Sequence, residues 1–438
     1  MWGSSVFVHF LLLLLIVPSV LTRDKAKNKY STRPEPWSSI AYVPGLDGFP
    51  CEKDAWIPDT EEYPILQANQ GKIKGHHRCK VNRRYANPDI TDGMGPKQFE
   101  GDSFYNVPYA KHSRRFDYGI YPHPKWDDTL SGTSVNKRFN CFPVTWYNIG
   151  TNGREDCLNM HLHIPGSLAQ AVAADEKLPV LLFLHGGDYS YGSADGGGTF
   201  DSYWYDGLIM GSYGNYIFAS INYRMHSFGF LSTEDENARG NYAVDDVINA
   251  IQWVWDNADA IGADPTKITL MGQSSGAALA HDVAITPQMK GKLFNVIPLS
   301  GSAVSYWGYW NHTQSIRNAR ELASGAHCNY PDTSELVECL RQLPPEELTI
   351  LRLHRNDTWR PAVEDRYFPG TAEELVEENH DFNLFISSLP DDGYEYIFTE
   401  GEITDFEVRV YFIFHLKLII FSYRILDTVN FSSFSEAY

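Results

Sequence analysis

The stretch Thr269-Leu270-Met271-Gly272-Gln273-Ser274-Ser275-Gly276 decides how this chain is read. It passes from an apolar strand pattern into a helix start made of small residues. Gly272 and Gly276 remove side chains where strand and helix crowd around a turn, and such a turn pushes Ser274 outward. Ser274 is therefore a candidate nucleophile, and the Ser275 backbone N–H a candidate donor to a developing oxyanion. An incidental glycine–serine turn is the alternative. Upstream, His185-Gly186-Gly187-Asp188 follows an apolar run that ends at Leu184. Its glycines free the backbone, so that the Gly187 and Asp188 N–H groups can converge on one point. His185 sits at the base of that turn, where a structural role suits it better than that of general base.

Outward from these two turns the pattern alternates between strand and helix. Residues 179–184 and 216–223 are continuous apolar runs, as strands buried on both faces should be. Residues 241–261 carry Val244, Val247, Ile248, Ile251, Val254 and Trp255 at helical spacing. Residues 267–271 form a third strand, residues 277–283 a buried helix, and residues 293–299 a fourth strand despite Pro298. This alternation predicts an α/β fold with a mostly parallel central sheet and helices on its faces. Gly71 to Gly75 reads as a glycine-marked turn, residues 76–150 as short strands and loops, and Pro344-Pro345 as a helix start. There is no internal repeat and no low-complexity tract.

Composition narrows the function. The 438 residues hold 36 Lys and Arg against 55 Asp and Glu, a formal net charge of −19. Such a chain does not seek nucleic acid by charge, and no zinc-finger spacing is present. Residues 1–22 read as a secretory signal, with an apolar run within residues 7–17 that is short for a membrane span. An uncleaved anchor is the alternative, and no clear transmembrane span is expected. Asn311, Asn356 and Asn430 each begin a glycosylation tripeptide. The six cysteines fall into sequence neighbours, Cys51 and Cys79, Cys141 and Cys157, Cys328 and Cys339. An oxidising compartment permits three bridges, but sequence alone leaves the pairing open. Secretion is the expected location.

Joined together, these segments resemble type B carboxylesterases, the cholinesterase-like family of α/β-hydrolases. Phe104 to Ala110 is similar to an early F-x-G-I-P-Y-A segment, and Glu155-Asp156-Cys157-Leu158 to an E-D-C-L segment. Asn222-Tyr223-Arg224, Gly229-Phe230-Leu231, Asp246 with Gln252-Trp253-Val254, and Ser300-Gly301-Ser302 follow in the family's order. The resemblance covers about residues 71–400. It implies an α/β-hydrolase fold, Ser274 as nucleophile, and an oxyanion site from Gly187, Asp188 and Ser275. It also implies Cys141–Cys157 and Cys328–Cys339 bridges, with Cys51 and Cys79 left as a third pair by count. Asp391-Asp392-Gly393 stands where the family has D-E-G, so Asp392 matches the acid position, 118 residues after Ser274. A solvated acidic turn is the plainer reading of Asp392.

Departures from the family pattern shape the expectation. Gln273 replaces the usual glutamate, Ser275 the usual alanine, and Asp188 a third glycine. The family's histidine lies roughly a hundred residues beyond the acid, whereas only His415 follows Asp392 here, in an unrelated context. The domain plan is then a signal over 1–22, an arm over 23–70, an incomplete hydrolase domain over 71–407 and a divergent tail over 408–438. The expected function is hydrolysis of small-molecule carboxylic esters through an acyl-enzyme, in a form lacking the catalytic histidine. A noncatalytic extracellular binding or adhesion protein, with a protein partner, is the alternative. No metal and no organic cofactor is implied.

Overall fold

The computed structural model describes residues 63–81, 98–133, 140–142, 153–196, 205–305, 307–308, 312–353, 359–364, 366–389 and 392. All lie in the unit spanning Phe49–Tyr438. The signal, most of the N-terminal arm, Cys51, the three glycosylation asparagines and the tail with His415 lie outside the described residues.

The framework is an eight-stranded sheet. Its strands are β1 (His76–Val81), β2 (Gln98–Pro108), β3 (Asn159–Pro165), β4 (Leu178–Leu184), β5 (Ile217–Ile221), β6 (Ala263–Gln273), β7 (Asn295–Leu299) and β8 (Asn383–Leu384). The spatial order is β8-β7-β6-β4-β5-β3-β2-β1. The pairs β8–β7, β7–β6, β6–β4 and β4–β5 are parallel, and the remaining three are antiparallel. The chain is thus an α/β fold whose sheet is majority parallel. All five residues of β5 and the last five of β4 are buried, which explains why these strands read as unbroken apolar runs.

Four helices matter for the site. They are α1 (Leu168–Ala173), α2 (Leu208–Gly214), α3 (Tyr242–Asp256) and α4 (Ser275–Ala284). The helix expected over residues 241–261 is two helices, α3 and a single turn over Ala258–Ile261. The break is at Asn257, whose side-chain amide donates to Trp253 O at 2.9 Å and whose Oδ1 accepts from Asn69 N at 2.7 Å. That side chain caps one helix and ties it to a distant hairpin. Gly262 then turns the chain into β6 with φ +70°, where a methyl group would overlap Ala171.

The start of the domain also differs from expectation. Gly71–Lys74 is a strand paired with Ile65–Ala68, and the turn is Asn69-Gln70. β2 is eleven residues long where short strands were expected. Its length follows from pairing on both edges, with β1 and β3.

The parallel register brings the strand ends together. Leu184 lies opposite Ile221 and Gly272, and Gln273 opposite Leu299. The segments that leave those ends begin at His185, Asn222, Ser274 and Ser300. The carboxyl edge of a parallel sheet is where α/β proteins build their sites.

Candidate functional site

Ser274 joins β6 to α4 with φ 56° and ψ −125°. For a residue with a Cβ this conformation costs on the order of 1–3 kcal/mol and persists only where the surroundings enforce it. They do so from several sides. Ser274 N–H donates to Leu299 O at 2.9 Å, and Ser274 O accepts from Ala277 N at 2.9 Å and Ala278 N at 3.1 Å. Side chains are absent at the points of closest approach. A methyl on Gly272 would overlap Gly276 O, and one on Gly276 would overlap His185 O. A methyl on Gly301 would lie 2.5 Å from Ser274 O.

The turn after β4 presses against this elbow. A Cβ on Gly186 would lie 2.6 Å from Gln273 O and 3.1 Å from Ser274 Cβ. Gly187, Asp188 and Tyr189 all have positive φ, at 119°, 53° and 53°. Ser190 N and Tyr191 N both donate to Gly187 O, at 2.9 and 3.1 Å, and so lock the turn. The fold therefore sets Gly186, the residue before Gly187 and Asp188, directly against Ser274. His185 is buried and stacked on Tyr223, with ring centroids 4.4 Å apart and planes 14° apart. Burial pushes its pKa down to about 4, so the ring is neutral at pH 7.

Asp392 is held in its own turn. Its Oδ2 accepts from Leu389 N at 2.8 Å, and its N–H donates to Leu389 O at 3.1 Å. The preceding segment is bound to the same carboxyl edge, because Ser300 N–H donates to Ser387 O at 2.7 Å. Among the described residues no hydrogen bond joins Asp392 to a histidine. The bridges Cys141–Cys157 and Cys328–Cys339 are formed. Cys79 lies in β1, but its side chain is outside the described residues. Among those residues no cluster of His, Cys, Asp and Glu is arranged to hold a metal ion.

The expected loss of a histidine partner is corrected by a buried Ser103–His163–Asp206 array. Ser103 on β2 and His163 on β3 are register partners, and Ser103 Oγ lies 2.8 Å from His163 Nδ1. Asp206 Oδ1 lies 4.0 Å from the same nitrogen. Arg78 holds that carboxylate through two contacts, 2.9 and 2.7 Å, and donates to the Tyr105 hydroxyl at 2.6 Å. The chain therefore retains a histidine beside both a serine and an aspartate, and no reading that depends on its loss stands. The sequence signal was His161-Leu162-His163, whose alternation in a strand puts two imidazoles on one face. Tyr105 packs edge-on against both rings.

The array and the elbow are separate places on the sheet. His163 lies opposite Phe218, Phe218 opposite Leu181, and Leu181 opposite Thr269. Thr269 precedes Ser274 by five residues, about 16 Å along an extended strand.

The sequence model of the carboxylesterase family matches residues 64–411. Human bile salt-activated lipase is 34% identical over 276 residues, covering 62% of this chain and 36% of that protein. The bovine bile salt-activated lipase is 32% identical over 334 residues, covering 73% and 54%. Human neuroligin-2 is 27% identical over 385 residues, covering 79% and 43%. The chain thus spans between about a third and a half of the length of these relatives.

Proposed function

Because the chain belongs to the carboxylesterase family, we propose that it hydrolyses small-molecule carboxylic esters through a serine acyl-enzyme. The observation that carries this reading is the backbone of Ser274, strained and enforced at the carboxyl edge beside the Gly186-Gly187 turn. Strain of this kind marks a side chain that must be presented. In the proposed step Ser274 Oγ attacks the ester carbonyl and gives its proton to a general base. The N–H groups of Gly187, Asp188 and Ser275 hold the oxyanion, and Asp392 is the acid of the same site. The alcohol leaves with the proton, and water then releases the acyl group from Ser274.

A second placement of the reacting serine is favoured by one specific contact. Ser103 already lies 2.8 Å from His163 Nδ1, with Asp206 Oδ1 4.0 Å from the same nitrogen. In that placement His163 is the base and Ser103 the nucleophile. Hydrolysis of a short-chain nitrophenyl ester separates the two. Ser274→Ala is expected to reduce kcat at least about a thousandfold, with Ser103→Ala and His163→Gln retaining turnover. Loss of turnover in Ser103→Ala, with Ser274→Ala active, moves the chemistry to the buried array. No turnover by the unaltered chain contradicts ester hydrolysis.

The two disulfides are compatible with an oxidising compartment, and among the described residues no helix is long and apolar enough to cross a membrane. Secretion through residues 1–22 is proposed on that basis together with the sequence. The domain plan given above and glycosylation at Asn311, Asn356 and Asn430 are part of the same proposal. Similarity to neuroligin-2 supports an extracellular protein partner as a further proposal.

A further inference from the structure

We infer that Tyr223 is a positioning residue that fixes the turn after β4 against the Ser274 elbow. The inference rests on the ester-hydrolase reading for its consequence in catalysis, but its geometry stands apart from that reading. Tyr223 follows β5 and is fully buried. It holds His185 twice. Its hydroxyl donates to His185 O at 2.6 Å, and its ring stacks on the His185 imidazole at 4.4 Å. His185 O is also the atom against which Gly276 packs without a Cβ. One carbonyl is therefore the meeting point of three segments: the strand end that leads into Gly187 and Asp188, the first turn of α4, and Tyr223.

The Ser275 hydroxyl extends this contact. It is buried and lies beside the Tyr223 phenol, within reach of its hydroxyl. The phenol thus stands between the two segments proposed to supply oxyanion donors, Ser275 on one side and the residues after His185 on the other. Tyr223 is itself fixed by its neighbour. Arg224 donates through Nε to Asp246 Oδ2 at 2.9 Å and through Nη2 to Asp246 Oδ1 at 2.7 Å. A tyrosine anchored to α3 in this way can hold the turn without touching substrate. Small errors in donor placement carry a large kinetic effect, because removing a single oxyanion donor costs about 10²–10³ in kcat.

Tyr223→Phe in the full chain tests the inference, since it keeps the stacked ring and removes only the hydroxyl. Two measurements are paired. Amide hydrogen exchange over residues 186–191 is expected to rise at least about tenfold, with exchange in β5 and α3 unchanged. Ester turnover is expected to lose about tenfold in kcat at constant KM, as for an interaction felt in the transition state. Exchange over 186–191 that matches the unaltered chain overturns the inference, whatever the activity. Raised exchange in a chain whose unaltered form turns over no ester supports the clamp and contradicts only the hydrolase reading. A change in KM with kcat constant also overturns the positioning role, because it would place Tyr223 in ground-state binding.

Discussion

Asp282 is buried without compensation. It is fully buried on α4, two turns beyond Ser274, and neither carboxyl oxygen has a hydrogen-bond partner among the described residues. Burial pushes its pKa well above the usual carboxylate range, so the folded chain keeps it protonated while the unfolded chain ionises it. A raised pKa in the folded state contributes stability that is present below the unfolded value and lost as pH rises. Asp282→Asn removes that dependence. Urea unfolding is expected to show the variant gaining on the unaltered chain as pH rises above 4, by up to about 1.4 kcal/mol per pH unit. A constant difference between pH 4.5 and 7.5 would show that the carboxyl is ionised in the folded state. Ser274 shows how much of this scale could be read in advance. The glycines at 272 and 276 announced a crowded turn, and the structure explains them by overlap with Gly276 O and His185 O. The Ser103–His163 contact could not be read, because it depends on the register of two strands sixty residues apart.

At the scale of elements, the carboxyl edge is held by contacts between segments distant in sequence. The chain after β5 is pinned to α3 by the Arg224–Asp246 pair, whose side chains are 3% and 0% exposed. Asp246 also accepts from Arg224 N at 2.9 Å, so its carboxylate fixes both the main chain and the guanidinium. Asp246→Asn leaves a buried cation without its partner and is expected to destabilise by about 3–5 kcal/mol. A chemical denaturation midpoint within error of the unaltered chain would refute that role. Element types were legible where burial made the pattern simple, as in β4, β5 and α3. Boundaries were not. Asn257 ends α3 through its own side chain and a contact to Asn69, which no local pattern announces. The turn placed at Gly71 lies instead at Asn69-Gln70, because Leu66 and Ile73 fill the core from facing strands.

Over the whole molecule, buried histidines set the response to acid. His161, His185 and His281 are each buried, and desolvation lowers each pKa to about 4. The unfolded chain binds these protons near pH 6.5 and the folded chain does not, so stability falls as pH drops from about 6.5 to 4. Asp282 works in the opposite sense over that window and offsets part of the histidine effect. Unfolding free energies measured at pH 6.5, 5.5 and 4.5 should decline as pH falls. A flat profile would mean that the three rings are charged when folded. The fold class was legible because strands and helices alternate along the chain. What the sequence concealed was the mixed character of the sheet, since β1 and β2 lie where only short strands and loops were expected and, with β3, add an antiparallel edge.

The central claim is that Ser274 reacts. A fluorophosphonate probe added to the folded full chain, followed by mass mapping of the peptides, tests it directly. The account predicts one adduct, on Ser274, formed in native buffer and absent after unfolding in urea. An adduct on Ser103 instead, or none on any serine of the folded chain, would contradict it.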